Sequence, residues 1–351
     1  MSVKHMIICL KCSLLALFLL FFQVSRAQTY DWGALDAALE ANKKLLGENV
    51  VVMIWKKDDT LVYKKENKFF NSKAQAPVAS ASKWLTAALV MQFVDEGLLS
   101  LDDKVVQWVP EFEKYFKNYI TIRHCLSHMT GIEDDNRVLK NLVQRKKFMS
   151  LEEEVNSFAG KKIRSNAGVD FWYGHIGLNI AARVVEAAGK KRFEVLMKQK
   201  LLNPLEMRRT NFTSLDGSPV NPSGGASSTA DDYMKFLVML LNKGKYKDKQ
   251  ILSEAAVEQM MQLKTSPELI RYAPAAAKGL NYALGSWAIE EKDGRATALA
   301  SPGLFGTWPM VDFCRGYAYL VFVKDFLNEE KAELHKQLKA IVDEQISGNC
   351  N

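Results

Sequence analysis

The chain has 351 residues, 48% hydrophobic and 25% charged, the composition of an ordinary globular protein with room for one large or two interleaved domains. Its formal net charge of +7 is too mild to argue for nucleic acid, and the basic clusters Arg145-Lys146-Lys147 and Lys161-Lys162 are short enough to be solvated faces.

Residues 1–27 are a different material. Lys4 and Lys11 precede the apolar block Leu14 to Phe22, and Ser25-Arg26-Ala27 offers a small-x-small cleavage site. This reads as a secretory signal peptide cut before Gln28, with an uncleaved N-terminal anchor as the alternative. The block is short for a bilayer span, and neither Cys9 nor Cys12 fits a lipoprotein site. Cleavage removes three cations and no acid, leaving +4, and predicts an exported protein, periplasmic or extracellular, with no stable membrane span. Three cysteines then remain, Cys125, Cys314 and Cys350, with no metal-knuckle spacing. A Cys314–Cys350 bond is conceivable but not relied on, so the fold must rest on its core.

Residues 31–46 carry helical apolar spacing, and Val50 to Trp55 with Leu61 to Lys64 read as a hairpin. Next comes Pro77 to Thr86, in which Ser80 precedes Lys83 by three residues and opens an apolar run from Trp84 to Val94. Positions i and i+3 share a helix face, so the hydroxyl and the amine can meet. A cation in a first helical turn faces the positive end of the helix dipole, a local violation of the kind that marks function. Burial and that field favour a neutral amine and a serine alkoxide. The plainer alternative, an N-cap serine with a solvated lysine, needs no lysine and would prefer Glu or Gln at that third position.

Beyond this point helical spacing dominates, at 121–130, 151–159, 176–188, 192–201, 230–243 and 253–263, with Asn221 to Gly225 as a loop. From about 281 the pattern reverts to strands, at 282–290, 297–301, 305–311 and 317–323, and an amphipathic helix over 328–346 closes the chain. The predicted fold class is α/β (α+β): an antiparallel sheet flanked by N- and C-terminal helices, with an all-helical insertion. The sheet domain takes 28–75 and 265–351, the helical domain 76–264, and the active site lies between them.

A serine–lysine pair needs a second polar group to move protons, and an oxyanion hole. Tyr173, just before the helix at 176–188, is the candidate for the first, and an aromatic anchor for that helix is the plainer reading. His124 and His128 stand four apart, but no Glu completes a His-Glu-x-x-His pattern, so no metal is predicted, nor any cofactor.

Several blocks in order now carry a resemblance. They are Val78 to Lys83, Met91 to Gly97 with Leu101-Asp102-Asp103, Thr121 to Gly131, Asn203 to Met207 and Gly225 to Tyr233. Over nearly the whole exported chain the sequence resembles the serine β-lactamase and penicillin-binding-protein superfamily, in its class C-like branch with D-aminopeptidases, DD-peptidases and esterases. The resemblance implies that Ser80 forms an acyl-enzyme, Lys83 activates it, and Tyr173 is the tyrosine of the Tyr-x-Asn motif. It places the third motif, Lys-Thr-Gly or His-x-Gly on an edge strand, at Ser301-Pro302-Gly303, and the oxyanion hole at the backbone N–H groups of Ser80 and Leu304. Two residues depart from the pattern: His175 replaces the Asn of the second motif, and Ser301 replaces the Lys or His of the third. His175, Ser301 and Gly303 are therefore substrate-side candidates, with a buried structural histidine as the alternative for His175. Lys264-Thr265-Ser266 is a weaker candidate for the third motif, because it follows a helix.

The expected function is a secreted serine hydrolase acting on an ester or amide, possibly a peptide or a β-lactam. Loss of the third-motif lysine favours esters over β-lactams. The alternative is a penicillin-binding-like or non-catalytic binding protein on the same fold. The expected partner is a small-molecule or peptide substrate, and the sequence fixes no oligomeric state.

Overall fold

The computed structural model describes residues 29–58, 60–134, 145–214, 217–324, 332–348 and 350. The expected signal peptide lies outside them. The chain divides into a short unit, Met1–Asp31, of which 29–31 are described, and a main unit, Trp32–Asn351, to which everything below refers.

Two helices, α1 (Gly33–Ala41) and α2 (Lys43–Leu46), lead into the hairpin β1 (Val50–Lys56) and β2 (Thr60–Lys65). A short strand β3 (Ala76–Pro77) and a 3-10 turn (Ala79–Ala81) precede α3 (Ser82–Asp95). Then come α4 (Glu111–Lys114), α5 (Ile122–Leu126), α6 (Leu151–Ala159), β4 (Phe171–Trp172), α7 (Ile176–Gly189) and α8 (Phe193–Leu196), which runs on into a π-helical turn. After β5 (Ser227–Ser228) follow α9 (Ala230–Leu241), β6 (Lys245–Tyr246), β7 (Lys249–Gln250), α10 (Glu254–Met261) and β8 (Ile270–Tyr272). The chain ends with β9 (Trp287–Lys292), β10 (Arg295–Ala300), β11 (Trp308–Asp312), β12 (Tyr317–Val323) and α11 (Ala332–Gln345).

Six strands form one antiparallel sheet in the order β2-β1-β12-β11-β10-β9. The N-terminal hairpin thus joins the C-terminal strands, as the pattern of helix and strands at both ends predicted. Its middle is apolar on both faces: every residue of β11 and β12 is buried. Strands of that kind need cover on two sides. Helix α9 packs across β1, β11 and β12, and α1 packs with α11.

Helix α3 is buried from Ser82 to Phe93, so it is a central rod without a solvent face. Two predicted elements are displaced at one end. The 121–130 helix stops at Leu126, because His128 and Gly131 adopt positive φ of 56° and 72°. The strand predicted from 282 starts at Trp287, because Gly285, at φ 80°, turns the chain against α3, where a Cβ would lie 2.5 Å from that of Ala87.

Cys314 and Cys350 form a disulfide, and Cys125 is a buried free thiol whose ionisation burial pushes up. No helix among the described residues is long and apolar enough to cross a membrane.

A charged cluster, not read from the sequence, ties α11 to the sheet. Lys339 Nζ lies 2.6 Å from Glu290, 3.0 Å from the fully buried Asp312 and 2.7 Å from Asp343. Arg315 also reaches Glu290 and Asp312, so the three carboxylates already have their cations. Removing one partner of a buried pair strands the others. Lys339→Met is therefore expected to lower unfolding stability by about 3–5 kcal/mol, read by urea denaturation.

Candidate active site

Ser80 is carried on a turn held from several directions. Strand β3 pairs with β5, and Val78 N donates to Ala226 O at 2.9 Å. Ala79 then adopts φ +44°, a left-handed conformation that costs an L-residue about 1–2 kcal/mol. Neighbouring bonds over-determine it. Ser82 Oγ donates to Ala79 O at 2.6 Å and accepts from Ala226 N at 2.9 Å, and Tyr233 Oη donates to Ala81 O at 2.8 Å.

Lys83 sits one turn later in α3, only 4% exposed, with Nζ 3.2 Å from Ser80 Oγ. The same amine donates to Ser223 O at 2.8 Å. Ser223 is fixed in turn, its N–H donating to Asn179 Oδ1 at 3.2 Å, while Thr86 Oγ1 donates to Pro222 O at 2.7 Å. The loop Asn221 to Gly225, read from the sequence only as a connector, is thus a wall of the lysine's pocket. Asn179, a buried amide in the otherwise apolar middle of α7, was the sequence signal that could have marked it.

Tyr173 follows β4 as expected, on a loop before α7, and its N–H donates to Tyr272 O at 3.2 Å. Lys83 Nζ lies 4.8 Å from the Tyr173 ring centroid, and the rings of His128 and Trp287 stand at 4.7 and 5.2 Å. The three residues Ser80, Lys83 and Tyr173, 93 positions apart at their extremes, therefore converge on one amine.

His175 caps α7 and turns toward Asp134: its N–H and its Nδ1 lie 3.1 and 3.2 Å from Asp134 Oδ2, and its ring packs on Phe158. Burial pushes the Asp134 carboxyl up, but the charge of His175 and its hydrogen bonds outweigh that and hold it below the usual range.

Ser301 Oγ donates to Ser80 O at 3.4 Å, which sets the third stretch beside the serine turn. It follows β10, an interior strand, and so departs from the edge-strand position that the resemblance implied. Gly303 and Thr307 close a turn, N–H to O at 2.8 Å, and Leu304 lies within it. Ser80 and Leu304, whose N–H groups are the oxyanion-hole candidates, thus sit on adjoining turns. A Cβ on Gly303 would come 2.3 Å from Val78 O, a backbone atom with little room to move. Gly303→Ala is therefore expected to push the two stretches apart, costing about 1–3 kcal/mol in stability and about 100-fold in turnover, measured by thermal melting and initial rates.

Of the other candidates, Lys264 and His124 hold structural contacts, and His128 packs beside Tyr173. Lys264 is half-buried near Arg123 and Asp102, and burial, then Arg123, lowers its pKa. His124 Nδ1 accepts from Thr121 N as part of a helix cap, while His128 Nε2 meets the Tyr282 hydroxyl at 3.1 Å.

The antiparallel sheet, the terminal helices and the buried central helix that follows the Ser80 turn define the β-lactamase/transpeptidase fold, whose members include serine hydrolases and acyltransferases. A profile of the Beta-lactamase family matches residues 40–344, and the chain belongs to that family. A candidate β-lactamase from Bacteroides dorei is 26% identical, with a TM-score of 0.79 over 91% of this chain and 99% of its own. EstCE1, described as a hydrolase with promiscuous acyltransferase activity, is 17% identical with a TM-score of 0.69, over 88% of this chain and all of its own; at that identity it speaks for the fold alone. Protein Rv1367c of Mycobacterium tuberculosis is 24% identical over 295 residues, 67% of this chain and 73% of its own.

Proposed function

We propose that the protein is an exported serine hydrolase that acylates Ser80 with an ester or amide substrate, esters being preferred. The observation that carries this reading is the Lys83 amine, buried and 3.2 Å from Ser80 Oγ. Ser80 Oγ attacks the substrate carbonyl, its proton passing to the Lys83–Tyr173 pair. The N–H groups of Ser80 and Leu304 receive the developing oxyanion. The bond to the leaving group breaks as that group takes the proton back. Water then repeats the steps on the acyl-enzyme, releasing the acid and restoring the serine.

Preference for esters rests on Ser301. Where penicillin-recognising relatives are expected to offer a cation to the substrate carboxylate, this chain offers a hydroxyl directed at the carbonyl of its own nucleophile residue. His175 and Gly303 complete the substrate side of this reading. The disulfide between Cys314 and Cys350 supports export, since such bonds persist in oxidising compartments.

Short-chain nitrophenyl esters, D-alanyl anilides and a chromogenic cephalosporin, compared side by side, test the preference. Ester turnover is expected to exceed cephalosporin turnover, and the reverse order overturns the argument from Ser301. Intact mass after penicillin and after a fluorophosphonate tests the chemistry. No adduct with either reagent would favour a binding protein on the same fold.

A further inference from the structure

His128 stands where a helix stop ordinarily puts glycine. Helix α5 ends at Leu126, Ser127 is its cap, and His128 follows at φ 56°. Gly fills such a left-handed position without strain, and any residue with a Cβ occupies it less readily. The same residue is 4% exposed, and a buried imidazole gives up its hydration. A helix stop alone explains neither.

The side chain shows what the position holds. Nε2 lies 3.1 Å from the hydroxyl of the buried Tyr282, whose own N–H donates to Thr265 Oγ1 at 2.7 Å. The imidazole meets Phe171 and Tyr282 edge-on and lies 4.7 Å from the Tyr173 ring, tilted by 48°. Its carbonyl accepts from Trp172 N at 3.0 Å, beside Tyr173 in the chain. We propose that His128, locked by its hydrogen bond to Tyr282, is a positioning residue that fixes the Tyr173 ring against Lys83 for acylation of Ser80. This rests on reading Ser80, Lys83 and Tyr173 as the reacting groups.

An imidazole suits the task better than a plain aromatic ring. It packs as a plate, and a directional bond sets the angle of that plate. The titratable groups around it are Lys83 from α3, Tyr173 and His175 from the loop before α7, and Tyr282. Burial first, then the charges of Lys83 and His175, hold His128 well below its ordinary pKa, so it packs as a neutral ring.

The test is a double-mutant cycle of His128→Phe and Tyr282→Phe, each of which keeps a ring and removes one partner of the bond. Steady-state rates on a nitrophenyl ester and fluorophosphonate labelling rates are the readouts. Each single variant is expected to lose about 10- to 100-fold in kcat and in labelling rate, with KM within about twofold. The double variant is expected to be no slower than the slower single, because both remove one interaction. Parental kcat in both singles, losses that multiply, or a change in KM alone would overturn the proposal. If His128→Phe does not fold, Tyr282→Phe decides by the same readouts. Failure of the underlying reading looks different: the parent is then not labelled, or labelling survives Ser80→Ala.

Discussion

Replacing Ser80 with alanine is expected to abolish the fluorophosphonate adduct and to lower ester turnover by roughly 10⁴- to 10⁶-fold. The hydroxyl is the only atom that forms a bond with substrate in this mechanism. The geometry around it survives the change, because Ala79, Ser82 and Tyr233 hold the turn through groups other than the Ser80 side chain. The thermal transition should therefore stay at its parental position while activity disappears. Turnover that persists in the folded variant would remove Ser80 from the chemistry.

Lys83→Arg keeps the positive charge and removes the ability to take up a proton near neutral pH. Turnover should fall by about 10²- to 10⁴-fold, the contribution of a positioned general base. The guanidinium is also too large for a pocket closed by Ser223 O and the Tyr173 ring, so a loss of about 1–3 kcal/mol in stability accompanies it. The pH–rate profile separates the two effects. If the parental acid limb belongs to the amine, it should vanish in the arginine variant, whereas a packing defect lowers the whole curve and leaves its shape. Near-parental rates across the profile would take Lys83 out of the proton path.

Local pattern carried part of this site into the sequence. Ser80 and Lys83 were legible because helical backbone brings i and i+3 together, although Ser80 stands on the 3-10 turn just ahead of α3. The sheet was legible because its central strands are apolar on both faces, and Tyr317 to Val323 reads as one unbroken run. The 3-10 turn was not, since nothing about Ala79 announces a left-handed conformation; only the bonds from Ser82 and Ala226 impose it. Tyr173 was visible as a candidate beside its helix, but its neighbourhood reads more plainly as an aromatic anchor, and only the family resemblance gave it a role in the chemistry. His128 was weighed only as a metal ligand, because its four-residue spacing from His124 was visible and its contacts with Tyr173 and Tyr282 were not. The Lys339 cluster had no local signal, because Glu290 and Asp312 come to it from the sheet and only Asp343 from its own helix.

The hydrogen bond from Ser301 to Ser80 spans 221 positions, and the one from Lys83 to Ser223 spans 140. Each closes a loop that contains most of a folded domain, and such contacts are entropically the slowest to form. Helix α3 can exist early, as local structure, without any chemistry. Competence is instead a property of the finished chain, acquired last, so a half-folded copy carries an inert serine.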